Sequence, residues 1–106
     1  MDIHFVKVEV LLPKEFIVQL RNKLNEIGVL TEGKYDNVIS YTIVNGYWRP
    51  LEGSTPFDGE VGEISFGTEC KMEFRCSYRD IELVKKIIKD VHPYEVPIIN
   101  ILPLLY

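Results

Sequence analysis

Cysteine is scarce in this sequence: Cys70 and Cys76 are the only two, and both fall within one alternating segment. Six residues of extended chain at about 3.3 Å each hold them roughly 20 Å apart, beyond disulfide reach. They read as small core residues in a reducing compartment. Long apolar runs are missing too. Nothing approaches the roughly 18 residues that cross a bilayer. Met1-Asp2-Ile3-His4 leads straight into a strand pattern with no basic region or cleavage site, so the expectation is a cytoplasmic chain without a membrane partner. Basic residues are outnumbered 12 to 16, for a net charge of −4, which argues against nucleic acid as a partner. Apolar residues at 46% and charged residues at 26% are ordinary globular usage, and 106 residues suit one domain over 1–106.

What is present is periodicity. From Ile3 to Leu12, Val6, Val8, Val10 and Leu12 share one face and Lys7 and Glu9 the other, which predicts a strand. Pro13 opens a helix whose Phe16, Ile17, Leu20, Leu24 and Ile27 lie on one arc, with Gly28 as terminator. Val38 to Val44 predicts a second strand after the turn-prone Gly33 and Asp36-Asn37. Five glycines and two prolines between Gly46 and Gly67 then predict a long irregular excursion. Such connections are uncommon in compact domains and are often functional. Alternation returns from Glu69 to Tyr78, with Cys70, Met72, Phe74 and Cys76 on one face. Asp80 can cap a helix carrying Ile81, Val84, Ile87, Ile88 and Val91, stopped by Pro93. A last strand spans Pro97 to Leu102. The order predicts an α+β, ferredoxin-like βαββαβ sandwich: an antiparallel sheet with two helices on one face.

Two strands suit a monomer poorly, because both of their faces are apolar. Val38 and Val44 oppose Ile39, Tyr41 and Ile43, and Ile98 and Leu102 oppose Ile99 and Ile101. Apolar area of this kind marks an interface, so a homo-oligomer is expected.

Functional side chains gather on two irregular stretches, Gly46 to Phe57 and His92-Pro93-Tyr94-Glu95-Val96-Pro97. Together with Gly33, Tyr35 and Asp36, the Trp48-Arg49-Pro50-Leu51-Glu52-Gly53 run, Pro56-Phe57, Gly59, Gly62 and the Glu69-Lys71-Glu73 strand, they resemble the small PII-like module inserted in the NIF3/YqfO family. The His92 to Pro97 turn is also similar to that of the CutA divalent-cation-tolerance family. Both resemblances imply trimeric assembly through the sheets. Two departures stand out: Asn100 replaces a common acidic residue, and Trp48 a more usual Phe. These 106 residues are not expected to include the metal-binding domain that surrounds the module in full-length NIF3-type proteins, so the resemblance implies no dimetal function for them.

Each candidate has two readings. His92 and Glu95 could ligate a divalent metal ion, or fix the turn by hydrogen bonds; two ligands fall short of the usual three or four. Trp48 and Arg49 could receive an anionic or planar ligand, or clamp an oligomer. No phosphate-loop signature, RRM aromatic platform, Cys-His pair or Ser-His pair accompanies them. The reading is a non-enzymatic, PII-like oligomeric module, favouring a trimer and requiring no certain cofactor. It would bind a small-molecule ligand or partner protein at clefts between subunits through Tyr35, Asp36, Trp48, Arg49, Glu52, Phe57 and Tyr94. The alternative is CutA-like divalent-metal binding through His92 and Glu95.

Overall fold

The computed structural model describes residues 2–106. Its elements run β1 (Phe5–Leu12), a 3-10 turn (Lys14–Phe16), α1 (Ile17–Glu26), β2 (Ser40–Trp48), β3 (Ser65–Ser77), a 3-10 turn (Tyr78–Asp80), α2 (Ile81–Val91) and β4 (Ile98–Leu104). The four strands form one antiparallel sheet ordered β2-β3-β1-β4. Both β-to-β crossovers carry a helix, giving the βαββαβ plan.

Alternation decides the core. Val8 faces Phe74 and Val10 faces Met72 across the β1–β3 ladder, so each strand turns the same parity toward the helices. Val8, Val10, Leu12, Met72, Leu20, Leu24, Val84 and Ile88 lose essentially all solvent contact there. Removing that apolar surface from water stabilises the fold by roughly 1.5–3 kcal/mol per large side chain. Ile99 and Ile101 of β4 pack on the edge of this core.

Several boundaries differ from the sequence expectation. Tyr78 leaves the strand for a 3-10 turn, and Asp80 ends that turn without a side-chain cap on α2. Ile27 lies just beyond α1 and is exposed, and the first strand begins at Phe5, not Ile3. The larger difference lies in the hairpin. β2 runs on to Trp48 and β3 begins at Ser65, because Asn45 pairs with Thr68, Gly46 with Gly67, Tyr47 with Phe66 and Trp48 with Ser65. Cross-strand pairing overrides the weak strand propensity of the glycines, and the irregular excursion shrinks to residues 49–64. Pro103 lies inside β4, tolerated because that strand is an edge and its missing N–H breaks no ladder.

β1 pairs with β3 only from Cys70 to Ser77, so residues 44–48 and 65–69 form a two-stranded arm beyond it. The sheet face away from the helices carries the ion pairs Lys7–Glu9 (3.2 Å), Lys7–Glu73 (3.5 Å) and Lys71–Glu73 (3.6 Å). Ile98 and Leu102 flank this network, 48% and 39% exposed. At the far end of the sheet Phe5 pairs with Leu104.

Candidate functional site

The arm ends in a closed loop. Gly62 N–H donates to Pro50 O at 2.8 Å, tying residues 50–62 into a compact Ω-like loop. Trp48 is its internal support: the indole N–H donates to Asp58 O at 3.0 Å. The ring sits on two glycines. A Cβ on Gly67 would lie 3.2 Å from the indole, and one on Gly59, at φ +96°, would meet Ser65 Oγ at 2.7 Å and the indole nitrogen at 3.0 Å. Gly59 is therefore required twice, for its backbone conformation and for the indole's room.

The loop is fastened to the turn that follows α2. Thr55 N–H donates to Glu95 Oε2 at 2.9 Å. Phe57 lies between Phe16 and Tyr94, with ring centroids 6.1 and 6.0 Å away, distances typical of edge and tilted aromatic pairs. Tyr94 O–H donates to Glu69 Oε2 on β3 at 2.7 Å. Burial, reinforced by this hydrogen bond and the Glu69 charge, pushes the phenol pKa far above its ordinary value.

His92 organises the turn from within. It is the buried polar residue of the core, 8% exposed. Nε2 faces Leu11 O and Nδ1 accepts the Tyr94 backbone N–H at 3.1 Å, so the hydrogen bonds assign the neutral tautomer with its proton on Nε2. Burial holds the pKa below the ordinary histidine value, against the Leu11 hydrogen bond and the Glu69 charge. The imidazole lone pair is already engaged. A metal ion on His92 would have to displace Tyr94 N–H, and one on Glu95 Oε2 would compete with Thr55 N–H. Among the described residues no three His, Cys, Asp or Glu side chains converge as a metal-ligand set.

Of the residues singled out from sequence, Trp48, Phe57, His92, Tyr94 and Glu95 come together. Arg49 and Glu52 lie on the exposed loop beside them. Tyr35 and Asp36 do not join. They stand at the other end of β2, roughly 25 Å away at the ordinary rise per strand residue. There Asp36 Oδ2 accepts from Asn25 Nδ2 at 3.4 Å, and Tyr35 makes a two-way backbone bridge with Glu32. Phe16, Glu69, Gly59 and Gly67 contribute to the site without having been singled out as ligand-binding. The Gly46 and Gly67 pair bounding the irregular stretch was the available signal. Near Tyr35, Arg75 stacks 4.2 Å over Phe5 and donates to Tyr106 O at 2.6 Å, lining a shallow concavity of about 540 Å³.

No family model matches the chain. A curated relative, "GTP cyclohydrolase 1 type 2 homolog" of Staphylococcus epidermidis, is 31% identical over 97 residues, covering 92% of this chain and 26% of its own length. The chain thus spans about a quarter of the curated relatives it matches. Among solved structures, a Bacillus cereus protein related to NIF3 superposes with TM-score 0.82 at 23% identity, over 98% of this chain and 26% of that one. The periplasmic divalent cation tolerance protein CutA of Archaeoglobus fulgidus gives 0.73 at 16% identity, covering 96% and 85%. Bacillus subtilis GlnK gives 0.66 at 20% identity, covering 96% and 86%. At these identities the structural likeness establishes the fold. The chain resembles a module contained within NIF3-related proteins, on the α+β ferredoxin-like plan it shares with CutA and GlnK.

Proposed function

We propose that residues 1–106 form a single non-catalytic, PII-like domain that assembles as a homotrimer. It binds a small ligand or a partner protein at clefts between subunits, in a soluble, cytoplasmic setting. The carrying observation is that the 50–62 loop and the 92–97 turn, far apart in sequence, are fastened together by Thr55 and Glu95 and by the Phe57–Tyr94 contact. Functional side chains thus meet on irregular segments held by a rigid scaffold. Trimerisation is supported by the exposed apolar groups of the two edge strands: Tyr41 and Ile43 of β2 and Ile98 and Leu102 of β4. Trp48, Arg49, Glu52, Phe57 and Tyr94 would line the cleft. Tyr35 and Asp36 would reach it only from a neighbouring subunit, whose opposite end would have to approach the loop.

The test uses Trp48, the sole tryptophan. A metabolite library that includes ATP, present in a solved GlnK complex, should contain a ligand that shifts indole emission and raises the melting temperature. Light scattering should report three subunits at micromolar concentration. A monomer, or no response in either assay, refutes the proposal.

Divalent-metal binding is the second reading, favoured by the likeness to CutA proteins. It requires His92 to exchange its Tyr94 hydrogen bond for a metal, with Glu95 released from Thr55. Metal titration of the wild type against His92→Ala decides it: equal affinity removes the reading.

A further inference from the structure

We propose that the concavity around Arg75, at the end of the sheet opposite the 50–62 loop, is a binding site for a zwitterionic α-amino acid with a large apolar side chain. It stands apart from the cleft proposed for the loop and the 92–97 turn.

Arg75 is a cation with hydrogen-bonding capacity to spare. Phe5, Arg75 and Leu104 share the sheet face that the helices leave uncovered, because Phe5 pairs with Leu104 and Lys7, of the same parity on β1, pairs with Arg75. The guanidinium carbon lies 4.2 Å from the Phe5 ring centroid and 5.6 Å from that of Tyr106. One N–H, on Nη1, donates to Tyr106 O at 2.6 Å. Nε is buried without a hydrogen-bond partner among the described residues, and Glu32 Oε1 stands 3.9 Å from it, an ion pair too long to be a hydrogen bond. A buried N–H left unbonded is costly, and a ligand that brings an acceptor recovers that cost.

Tyr106 shows what the site accepts. It offers the guanidinium an oxygen and an aromatic ring, yet it stays 92% exposed. A free carboxylate brings two oxygens to the same fork, in a charge-assisted and geometrically matched pair.

Charge selects the class of ligand. Asp2 and Glu32 line the concavity together with Arg75, and His4 lies beside them. A two-way backbone bridge to Tyr35 holds Glu32 in place. A ligand that is only anionic meets two carboxylates there, and one that is only cationic meets the guanidinium. An α-amino acid satisfies both signs: its carboxylate pairs with Arg75, its ammonium with Glu32 or Asp2, and its side chain lies against Leu104 and Phe5. The volume of about 540 Å³ falls in the range of small-molecule sites.

Calorimetric titration of the full chain with L-phenylalanine and L-leucine, to about 10 mM, tests the proposal. At least one of the two should bind, once per chain. For the phenylalanine series, 3-phenylpropanoate lacks the ammonium and phenethylamine lacks the carboxylate; for leucine, 4-methylpentanoate and isoamylamine do the same. Each truncated analogue should bind at least about tenfold more weakly than its parent, and Arg75→Gln and, separately, Glu32→Gln should each lower affinity for the amino acid by a similar factor. Glu52→Gln on the loop should leave it unchanged. Absence of binding by both amino acids, or equal binding by Arg75→Gln and Glu32→Gln, overturns the proposal. So does equal affinity for the acid analogue, which would make the concavity a plain anion site. Trp48, at the other end of the sheet, should not respond to the amino acid. A Trp48 response that survives in Arg75→Gln would put the amino acid in the loop cleft, overturning this inference and supporting the earlier reading.

Discussion

The 92–97 turn and the 50–62 loop meet at Thr55–Glu95 and Phe57–Tyr94, yet they are held by different physics. The turn hangs on His92, buried under β1, with both ring nitrogens committed to backbone partners. The loop is held by groups that reach water: Thr55, Glu95 and Phe57 are all exposed, and Trp48 is 38% exposed. Buried hydrogen bonds are costly to break because the orphaned group keeps no solvent in exchange, whereas exposed ones trade readily with water. The turn is therefore part of the scaffold, and the loop is a strap laid on it that can lift without unfolding the body.

This contrast is open to direct attack. His92→Ala should cost about 2–4 kcal/mol in urea unfolding, since it orphans Leu11 O and Tyr94 N–H and opens a cavity. A loss under about 1 kcal/mol would place the turn outside the scaffold. Next in size is Gly59→Ala, which should cost about 1–3 kcal/mol by forcing an L side chain to φ +96° against Ser65 and the indole. Its signature should be a red shift of Trp48 emission at temperatures where the body's circular dichroism is unchanged.

Acid offers a third, milder perturbation. The folded state holds the His92 pKa below its ordinary value of 6.5, so the native protein disfavours the imidazolium more than the unfolded chain does. The stabilisation is whole above pH 6.5 and drains as pH falls from there toward the folded pKa. Measured between pH 7.5 and 5, stability should decline in the wild type, and less steeply in His92→Gln. Equal slopes would show that another group governs the decline. The smallest global effect belongs to Glu95→Ala, expected to cost under about 1 kcal/mol. Its local effect should be clear: faster hydrogen exchange at Thr55 N–H, with exchange at Tyr94 N–H unaltered.

The body of the fold was legible wherever side chains alternate over a covered sheet. Val6, Val8 and Val10, and Cys70, Met72 and Phe74, announce both strand and buried face because one-sided burial imposes a period of two. The arm was not legible. Gly46, Trp48, Ser65 and Gly67 have no shared local pattern, and they are strand only because they pair with one another. The two-faced apolar strands do expose apolar groups, but β2 exposes them on the side the helices were expected to cover: Tyr41 and Ile43 stay 45% and 61% exposed there, beyond the reach of the helices. At the site, residue chemistry pointed to the loop and the turn, and the fold brought these together. It also carried Tyr35 and Asp36 to the far end, a separation that no spacing rule discloses. The role of Trp48 was half visible. Its ring was open to ligand or interface readings, but the Asp58 carbonyl and the two glycines beneath it belong to tertiary structure.

The Phe5–Leu104 pairing at the far end of the sheet has an architectural consequence. Cα atoms of antiparallel partners lie about 4.5–5.5 Å apart, so a chain enters and leaves this module through nearly the same point in space. The loop tip and the fastened turn project from the opposite end. A fold with that geometry can be grafted into a single surface loop of a larger protein without prising its host apart, with its loop end facing outward. That arrangement is compatible with relatives nearly four times the length of the segment they share with this chain.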